Sequence, residues 1–592
     1  MLHGLRAAPE DRPASIEELC RALERGVMRR RRAIAAGLAL AAGGALAVAL
    51  AWPGSRAAPV PPVASARALA VTDVPFPVSA SQPAREAYRR GLLNLRDGVA
   101  AGNDFAQAAA LDPSLAEAHL RFALDEFWRV PVDAREHLAR AIALRSKLGP
   151  RDQRLLDAAQ TWIQDQPADR AAYARLLIAA QAEFPLDAER ALRAAAAVDE
   201  TGDRPGALAL YDRALAIDPA FGAAFRARAE ILAYDGRLDD ALAAIDECTR
   251  RAPEATACLA QRTLLDGLSG NCQRAERDAQ RILARDPSSD VGYYQLAQAS
   301  YAEGRPLPVV RELLRERVAR LPDALRPRFE SWHAWALDVL TGDLDAARDR
   351  ARALDHTAGA DADRRLHARA AYWWTSASIE SGRPLEAAQR AREFLARRDA
   401  WLAEPRAEDF SILRDLTPHL LAAERAGGVL SQAEFETERA RWVELWERSA
   451  TPVARPFVWL HGYAAIAESA DDARQALAAA PRFGVPRYTP FTLGDAFIGT
   501  TYYLAGRIDD ALPYLQRAAR SCVALEVPFE HTQVHLVLGQ ALAARGRRDE
   551  ACAALGVVLA RWGHARPRSV TADRARQLAQ TLGCPGGLAS DR

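Results

Sequence analysis

Lysine is almost absent from this chain of 592 residues, in which Lys147 is the only example. Arginine therefore carries almost all of the positive charge, and acidic and basic residues are interspersed to a formal net charge of +1. Without an overall excess of positive charge, the sequence lacks the electrostatic footprint that is typical of nucleic-acid binding. We therefore expect no nucleic acid among its partners.

The sequence also lacks the sustained alternation of Val, Ile and Thr that half-buried β-strands show. Helix-compatible Ala, Leu, Arg and Glu dominate instead. A Gly-rich phosphate loop, a His-Arg-Asp catalytic loop and an Asp-Phe-Gly metal site are likewise missing. We expect an all-α protein that is not an enzyme and that needs no cofactor.

A repeat of 34 residues is present between residues 186 and 304. Glycine can end a helix in the left-handed conformation, and proline cannot continue one, so each unit is predicted to be a hairpin of two helices. An alanine also follows most of the glycines, and further glycines along the chain, by five residues. Four glycines and four prolines keep the period: Gly202, Gly236, Gly270 and Gly304, and Pro185, Pro219, Pro253 and Pro287.

This period and its residue types resemble the tetratricopeptide (TPR) repeat. Ala207, Tyr211, Ala214 and Pro219 match its small, aromatic, small and proline positions one by one. The resemblance implies a right-handed α-solenoid of stacked hairpins. We expect regular repeats over 81–320, repeats with longer turns and a capping helix over 321–585, and a tail at 586–592.

Both ends of the chain show a second resemblance. The segment from Gly4 to Ser15 and the helix after it resemble the last helices of a bacterial Ser/Thr kinase C-lobe, although an ordinary juxtamembrane helix over 1–28 is an alternative. The segment 558–584 resembles the close of TPR-bearing membrane kinases of this class. The resemblance implies the non-catalytic half of a kinase signalling protein. The alternative is a truncated or mis-started kinase whose full product phosphorylates proteins.

An uncharged segment near the N-terminus predicts a membrane anchor. Residues 29–32 are four arginines, and residues 33–52 form a run long enough for one bilayer crossing. We expect a single-pass protein of the bacterial inner membrane, with a Pro/Ala-rich linker over 53–80 and the array outside the cytoplasm; cleavage after Ala51 is an alternative. A small-residue series in this segment suggests a homodimer: Gly37, Ala41 and Ala45.

The cysteines predict two disulfides. Cys248 and Cys258 lie on either side of a turn between helices, and Cys552 and Cys584 lie at one end of another helix pair. Cysteine as a small buried residue is the alternative, particularly for Cys248, which occupies a small-residue position of the repeat. Each of these pairs is therefore expected to bridge neighbouring helices.

The first helices of the hairpins predict a concave binding face. Mixed aromatic and polar side chains at these positions suit a protein or peptide segment laid along a groove. The chain is therefore predicted to be a scaffold or sensor that binds protein or peptide partners. Six residues of the regular repeats are predicted to line the groove: Arg226, Glu230, Tyr234, Tyr294, Gln298 and Tyr301.

One histidine pair resembles half of a metal site. His531 and His535 are four residues apart on a predicted helix, so they share one face. The residues between them, Thr-Gln-Val, lack the glutamate of the His-Glu-x-x-His metalloprotease motif. We therefore predict no metal site here.

Overall fold

The computed structural model describes residues 68–165, 168–323, 325–357, 364–402, 409–490 and 493–585. Within these ranges the chain forms 27 α-helices and no β-strand. The all-α prediction is confirmed, and the helices are arranged as a TPR-like series of hairpins.

The helices are joined by short connections, some of which contain a single turn of 3-10 or π helix. Those of the first half are α1 (Gln82–Asp97), α2 (Gly102–Leu111), α3 (Ala116–Glu126), α4 (Pro131–Ala143), α5 (Pro150–Ala159), α6 (Arg170–Glu183), α7 (Ala188–Glu200), α8 (Arg204–Ile217), α9 (Gly222–Tyr234), α10 (Leu238–Arg251), α11 (Thr256–Ser269), α12 (Cys272–Arg285), α13 (Asp290–Ala302) and α14 (Leu307–Arg320). Those of the second half are α15 (Arg326–Leu340), α16 (Leu344–Thr357), α17 (Arg364–Glu380), α18 (Pro384–Leu402), α19 (Asp409–Ala426), α20 (Gln432–Ser449), α21 (Arg455–Gly462), α22 (Ala470–Phe483), α23 (Gly494–Leu504), α24 (Ile508–Arg520), α25 (Pro528–Ala544), α26 (Arg548–Trp562) and α27 (Val570–Leu582).

The predicted glycines lie at the turns of the hairpins. Each of them has a φ angle between 70° and 87°, the left-handed region that a residue with a side chain rarely adopts. An alanine follows five residues later in eight of these hairpins. It is at most 2% exposed in seven of them, which allows close helix packing, and the exception is the exposed Ala433. The glycines between two paired helices are Gly202, Gly236, Gly270, Gly304, Gly342, Gly382, Gly428, Gly506 and Gly546.

The repeats of the second half are longer because some of their helices are longer. Helices α8 to α14 have 13 or 14 residues, whereas α17 and α25 have 17 each and α18 has 19. Both 17-residue helices lie within the intervals in which the glycine spacing grows from 34 to 40. The added residues therefore extend the hairpins and leave the order of the helices unchanged.

The array folds back on itself, so hairpins far apart in sequence are in contact. Helix α1 contacts α9, α11 contacts α24, and α15 contacts α25. Trp562 Nε1 donates a hydrogen bond of 2.7 Å to the carbonyl of Val339. Arg96 makes a bidentate contact to the buried carboxylate of Asp218 at 2.6–3.0 Å. The open groove expected from the sequence is therefore replaced by a space between facing hairpins.

The packed unit begins earlier than expected. Residues 53–80 were predicted as an extended linker, but the part of this segment that the structure describes contacts the array. The backbone N–H of Leu69 donates to the carbonyl of Leu186 at 2.8 Å, and Val71 and Val74 are at most 3% exposed. Burial of two valines, worth about 1.5–3 kcal/mol each, holds this stretch against the hairpins.

The predicted localisation is corrected. No helix of the described residues combines the length and the apolar character that a bilayer crossing needs. A single-pass protein of the inner membrane is therefore not supported, and the membrane is withdrawn from the predicted partners. The segments that carried this prediction and the kinase resemblance at the N-terminus, 33–52 and 1–28, lie outside the described residues, as does the tail at 586–592.

Candidate binding cavity

A cavity of about 740 Å³ lies where the facing hairpins meet. Its volume is in the range of natural ligand-binding pockets. Most of the helices around it are the first helices of their hairpins, which form the concave face of such arrays. The first helices that contribute are α7, α9, α15, α17, α19, α23 and α25.

Aromatic rings form a continuous wall along one side of the cavity. The ring centroids of Tyr372 and His419 are 5.2 Å apart, and those of His419 and His461 are 6.3 Å apart. The series continues from His461 to Phe457 at 6.5 Å and from Phe457 to Tyr234 at 6.3 Å. The rings of this wall therefore come from four helices, α17, α19, α21 and α9. Contacts between the rings stabilise the wall.

Two tryptophans form a second aromatic surface. The rings of Trp335 and Trp373 are stacked with centroids 4.2 Å apart and planes inclined by 11°. The ring centroid of Phe529 lies 5.8 Å from that of Trp335. Trp335 is 2% exposed, and its indole N–H has no hydrogen-bond partner in the part of the chain that the structure describes. A buried donor without a partner is uncommon in folded proteins.

Acidic groups outnumber basic ones among the described residues that line the cavity. Two guanidinium groups face five carboxyl groups, so the lining carries an excess of negative charge when the carboxyl groups are ionised. The basic residues are Arg170 and Arg369. The acidic residues are Asp199, Glu200, Glu230, Glu526 and Glu530.

Two of these carboxyl groups are held by tyrosines. The phenol of Tyr294 donates a hydrogen bond of 2.5 Å to Glu526, and the phenol of Tyr372 donates a short one to Glu530. Burial raises the pKa of Glu526 and of Glu530. Burial also raises the pKa of Asp199 to about 6, because removal from water disfavours the charged form.

The two arginines of the lining are both in contact with other groups. Arg170 lies 4.8 Å from the ring centroid of Trp162 and 4.0 Å from the carboxylate of Glu200. Arg369 lies 5.7 Å from the ring centroid of Trp332. Both positive charges are therefore placed against aromatic or acidic groups of the wall.

The six predicted groove residues do not form one surface. Glu230 and Tyr234 line the cavity, and Arg226 lies 3.5 Å from Glu230 in an ion pair. Tyr294 is buried behind the wall, where it contacts Glu526. The Arg561 guanidinium lies 5.6 Å from the ring centroid of Tyr301. Gln298 is half-buried, and its Oε1 has no hydrogen-bond partner among the described residues.

Sequence reasoning missed the second half of the cavity wall. Tyr372, His419, Phe497 and Glu530 lie on first helices of the longer repeats, the same positions that were used in the regular part. The 34-residue period identifies such helices only where it is kept. The five-residue spacing from glycine to alanine continues into the second half and is the signal that locates them there.

The described part of the chain contains three disulfides. Cys248 is bonded to Cys258 and Cys552 to Cys584, the pairings proposed from the sequence. The third joins Cys272 at the start of α12 to Cys522 after α24, across 250 residues, and was not predicted. This bond links the two parts of the array that fold against each other.

The histidine pair on α25 is buried against an arginine. The rings of His531 and His535 have centroids 5.6 Å apart. Arg561 Nη1 donates to His531 Nδ1 at 3.0 Å, and His531 Nε2 lies 2.9 Å from the carbonyl of Ser521. Both nitrogens of His531 are therefore already in hydrogen bonds.

No protein-family model and no curated protein matches this sequence. Solved structures similar to it include the human IFIT1 dimer with m7Gppp-AAAA, at 13% identity over 76% of this chain and 92% of that one, with a TM-score of 0.32. The Cut9–Hcn1 hetero-tetramer of the APC/C is 13% identical over 84% of this chain and 76% of that one, with a TM-score of 0.34. The TPR domain of P58(IPK) is 15% identical over 67% of this chain and 98% of that one, with a TM-score of 0.18. At these TM-scores the similarities carry no argument about function.

Proposed function

We propose that this chain is a non-catalytic helical-repeat scaffold that binds a peptide segment of a protein partner in the cavity. The observation that carries the proposal is the composition of the lining, which combines a continuous aromatic wall with a set of carboxyl groups. Rings supply contact area at low entropic cost, and polar groups orient a bound backbone. Such a lining suits a peptide that presents both side chains and amide groups.

The charge of the lining favours a protein segment over a nucleic acid. Five carboxyl groups and two arginines would meet the phosphates of a nucleic acid with net repulsion. The arginines that could offset this repulsion are placed against Trp162, Glu200 and Trp332. A peptide backbone carries no charge and meets no such opposition.

An association with Ser/Thr kinase signalling is part of the proposal only through the sequence resemblance. The closing segment 558–584 includes the end of α26 and all of α27, which completes the packing of α25 and α26. The alternative, a longer product with a kinase domain, predicts kinase motifs in frame upstream of Met1. Reading the genomic sequence there tests it, and an in-frame stop codon close to Met1 would rule it out.

Binding is tested by probing the full chain on an array of nonapeptides of mixed sequence. Ala196 is an exposed residue of the cavity lining, so Ala196→Trp would place a large ring in the cavity without disturbing the core. Ala433 on α20 is equally exposed and does not line the cavity, so Ala433→Trp is the matched control.

The proposal expects that Ala196→Trp weakens binding to the selected peptides by about tenfold or more, equivalent to about 1.4 kcal/mol. Ala433→Trp should leave the binding unchanged. Equal binding by both variants would show that peptides bind elsewhere. A wild-type chain that retains no peptide on the array would overturn the function itself.

A further inference from the structure

We propose that the cavity selects a peptide segment that carries an arginine or a lysine, whose positive charge lies between the carboxyl groups and the aromatic wall. This inference rests on the proposed function and names the chemistry of the bound segment. It concerns residues from both halves of the array, brought together only by the folding back of the chain.

Acidic residues exceed basic residues in the lining of the cavity. Two arginines and five carboxyl groups line the cavity, and Arg226, outside the lining, pairs with Glu230 at 3.5 Å. Asp199 lies 3.6 Å from Arg204, and its Oδ1 has no hydrogen-bond partner among the described residues. A cationic group of a ligand would supply the hydrogen-bond donor that Asp199 Oδ1 lacks and would reduce the remaining excess of negative charge in the lining.

Aromatic rings lie beside these carboxyl groups. Tyr234 and Glu230 lie one turn apart on α9, and both line the cavity. Tyr234 is in contact with Phe457 at 6.3 Å and with Tyr488 at 5.2 Å, both approximately edge to face. A ring face attracts a cation within about 6 Å, and this attraction grows where water is excluded. Arginine and lysine also bury their aliphatic stems against such rings.

One buried donor of the lining residues is not satisfied by a cation alone. Trp335 lines the same cavity, and its buried indole N–H has no hydrogen-bond partner in the described part of the chain. A peptide carbonyl is an acceptor that suits it. The cavity therefore offers acceptors for a positive side chain and a donor for a backbone carbonyl, which together describe a peptide residue better than a free amine.

The test uses fluorescein-labelled peptides chosen from the array and read by anisotropy on the full chain. Each arginine peptide is paired with one in which citrulline, a neutral molecule of nearly the same shape, replaces arginine. We expect citrulline to weaken binding by about tenfold or more. Asp199→Asn and Glu230→Gln should remove most of that difference, whereas Glu444→Gln, an exposed carboxylate of α20, should leave it intact.

A second arm distinguishes a peptide side chain from a free amine. Benzylamine and neutral benzyl alcohol are used as competitors against the labelled arginine peptide. We expect benzylamine to compete better than benzyl alcohol, and both to compete more weakly than the unlabelled peptide. Benzylamine that matches the peptide in strength would assign the site to free amines and overturn the peptide part of the inference.

The failure of the inference is distinguishable from the failure of the proposed function. In one outcome, Ala196→Trp weakens peptide binding, but arginine and citrulline peptides bind equally well. This outcome would overturn the charge selection and leave the proposed scaffold function in place. If no peptide binds, both the charge selection and the proposed scaffold function are contradicted. The melting temperatures of Asp199→Asn and Glu230→Gln are measured by circular dichroism. Values equal to that of the wild type establish that a loss of selectivity does not come from unfolding.

Discussion

The phenol of Tyr294 on α13 donates a hydrogen bond of 2.5 Å to Glu526, which lies 232 residues later and lines the cavity. The Arg317 guanidinium lies 3.9 Å from the ring centroid of Tyr294, and the ring of Trp332 lies 5.5 Å from it. Tyr294 is buried and does not line the cavity itself. It therefore positions a group of the cavity wall from behind.

Tyr294→Phe should lower the free energy of unfolding by about 1–3 kcal/mol. The change leaves a buried carboxyl group without its donor, which costs more than the loss of one exposed hydrogen bond. Urea unfolding of the full chain measures the difference. The control is Tyr503→Phe, at a half-buried phenol of α23 that does not line the cavity. Similar losses in both variants would contradict the role of the Tyr294 hydrogen bond.

His531 makes stability depend on pH. Burial and the neighbouring Arg561 lower the pKa of His531 to about 3 in the folded state, against about 6.5 in the unfolded state. Between these values the unfolded chain binds a proton that the folded chain does not bind, so stability falls as the pH falls from about 6.5 towards 3. Stability is unaffected by this group above about pH 6.5.

His531→Gln should reduce the stability difference between about pH 7 and pH 5 by about 2 kcal/mol, because glutamine cannot take up the proton. Its side-chain amide can still donate to the carbonyl of Ser521. Urea unfolding at the two pH values measures the change. The exposed His564, in the turn after α26, supplies the control His564→Gln. A pH dependence that is unchanged in His531→Gln would contradict the assignment.

The disulfide between Cys272 and Cys522 should stabilise the fold more than the one between Cys248 and Cys258. It closes a loop of 250 residues, whereas the other closes a loop of 10. Loop-closure entropy predicts contributions of about 5 and about 3 kcal/mol, respectively. Replacing both cysteines of each pair by alanine, followed by urea unfolding, compares them. An equal or smaller loss for the 272–522 pair would contradict the larger contribution expected from the longer loop.

Glu380 connects the last helix of the array to α17. Its carboxylate accepts hydrogen bonds from the Ser569 hydroxyl at 2.6 Å, the Thr571 backbone N–H at 2.9 Å and the Thr571 hydroxyl at 2.8 Å. The amide of Gln533 donates a fourth at 3.1 Å. The Glu380 side chain is buried, so water cannot take its place as the acceptor for these donors.

Glu380→Gln should destabilise the C-terminal end by about 3 kcal/mol, because the new NH₂ group faces donors that need an acceptor. Hydrogen exchange should accelerate in α27 and stay unchanged in α9 to α12, which lie in other hairpins. Glu386→Gln, at a partly exposed ion pair of α18, is the control and should have little effect. Exchange that accelerates evenly along the chain would contradict a local role.

Local features of the fold were predictable from sequence because their causes are local. Gly236 ends α9 at the residue expected, and Ala241 five residues later is fully buried. Left-handed glycines, helix-blocking prolines and small residues act within one hairpin, so their spacing alone indicates them. The same holds for the Cys248–Cys258 pairing, whose residues are separated by one turn between helices.

The candidate site was predictable only in part. Glu230 and Tyr234 were found because helix positions in the regular repeats could be counted, but Tyr294 was placed on the same face and is in fact buried against Glu526. Which residues line the cavity depends on how the hairpins of residues 190–235 pack against those of residues 450–530. The relative position of these hairpins depends on small rotations between successive hairpins, which accumulate along the array. It therefore cannot be predicted from any short segment of the sequence.

The sequence by itself determined the helices, their turns and their order, because backbone conformation and side-chain volume at repeated positions decide each hairpin independently. The tertiary structure alone decided that the array folds back, that Cys272 meets Cys522, and that rings and carboxyl groups from both halves enclose one cavity. The physical reason is distance along the chain: contacts across more than 200 residues depend on the packing of every hairpin between them.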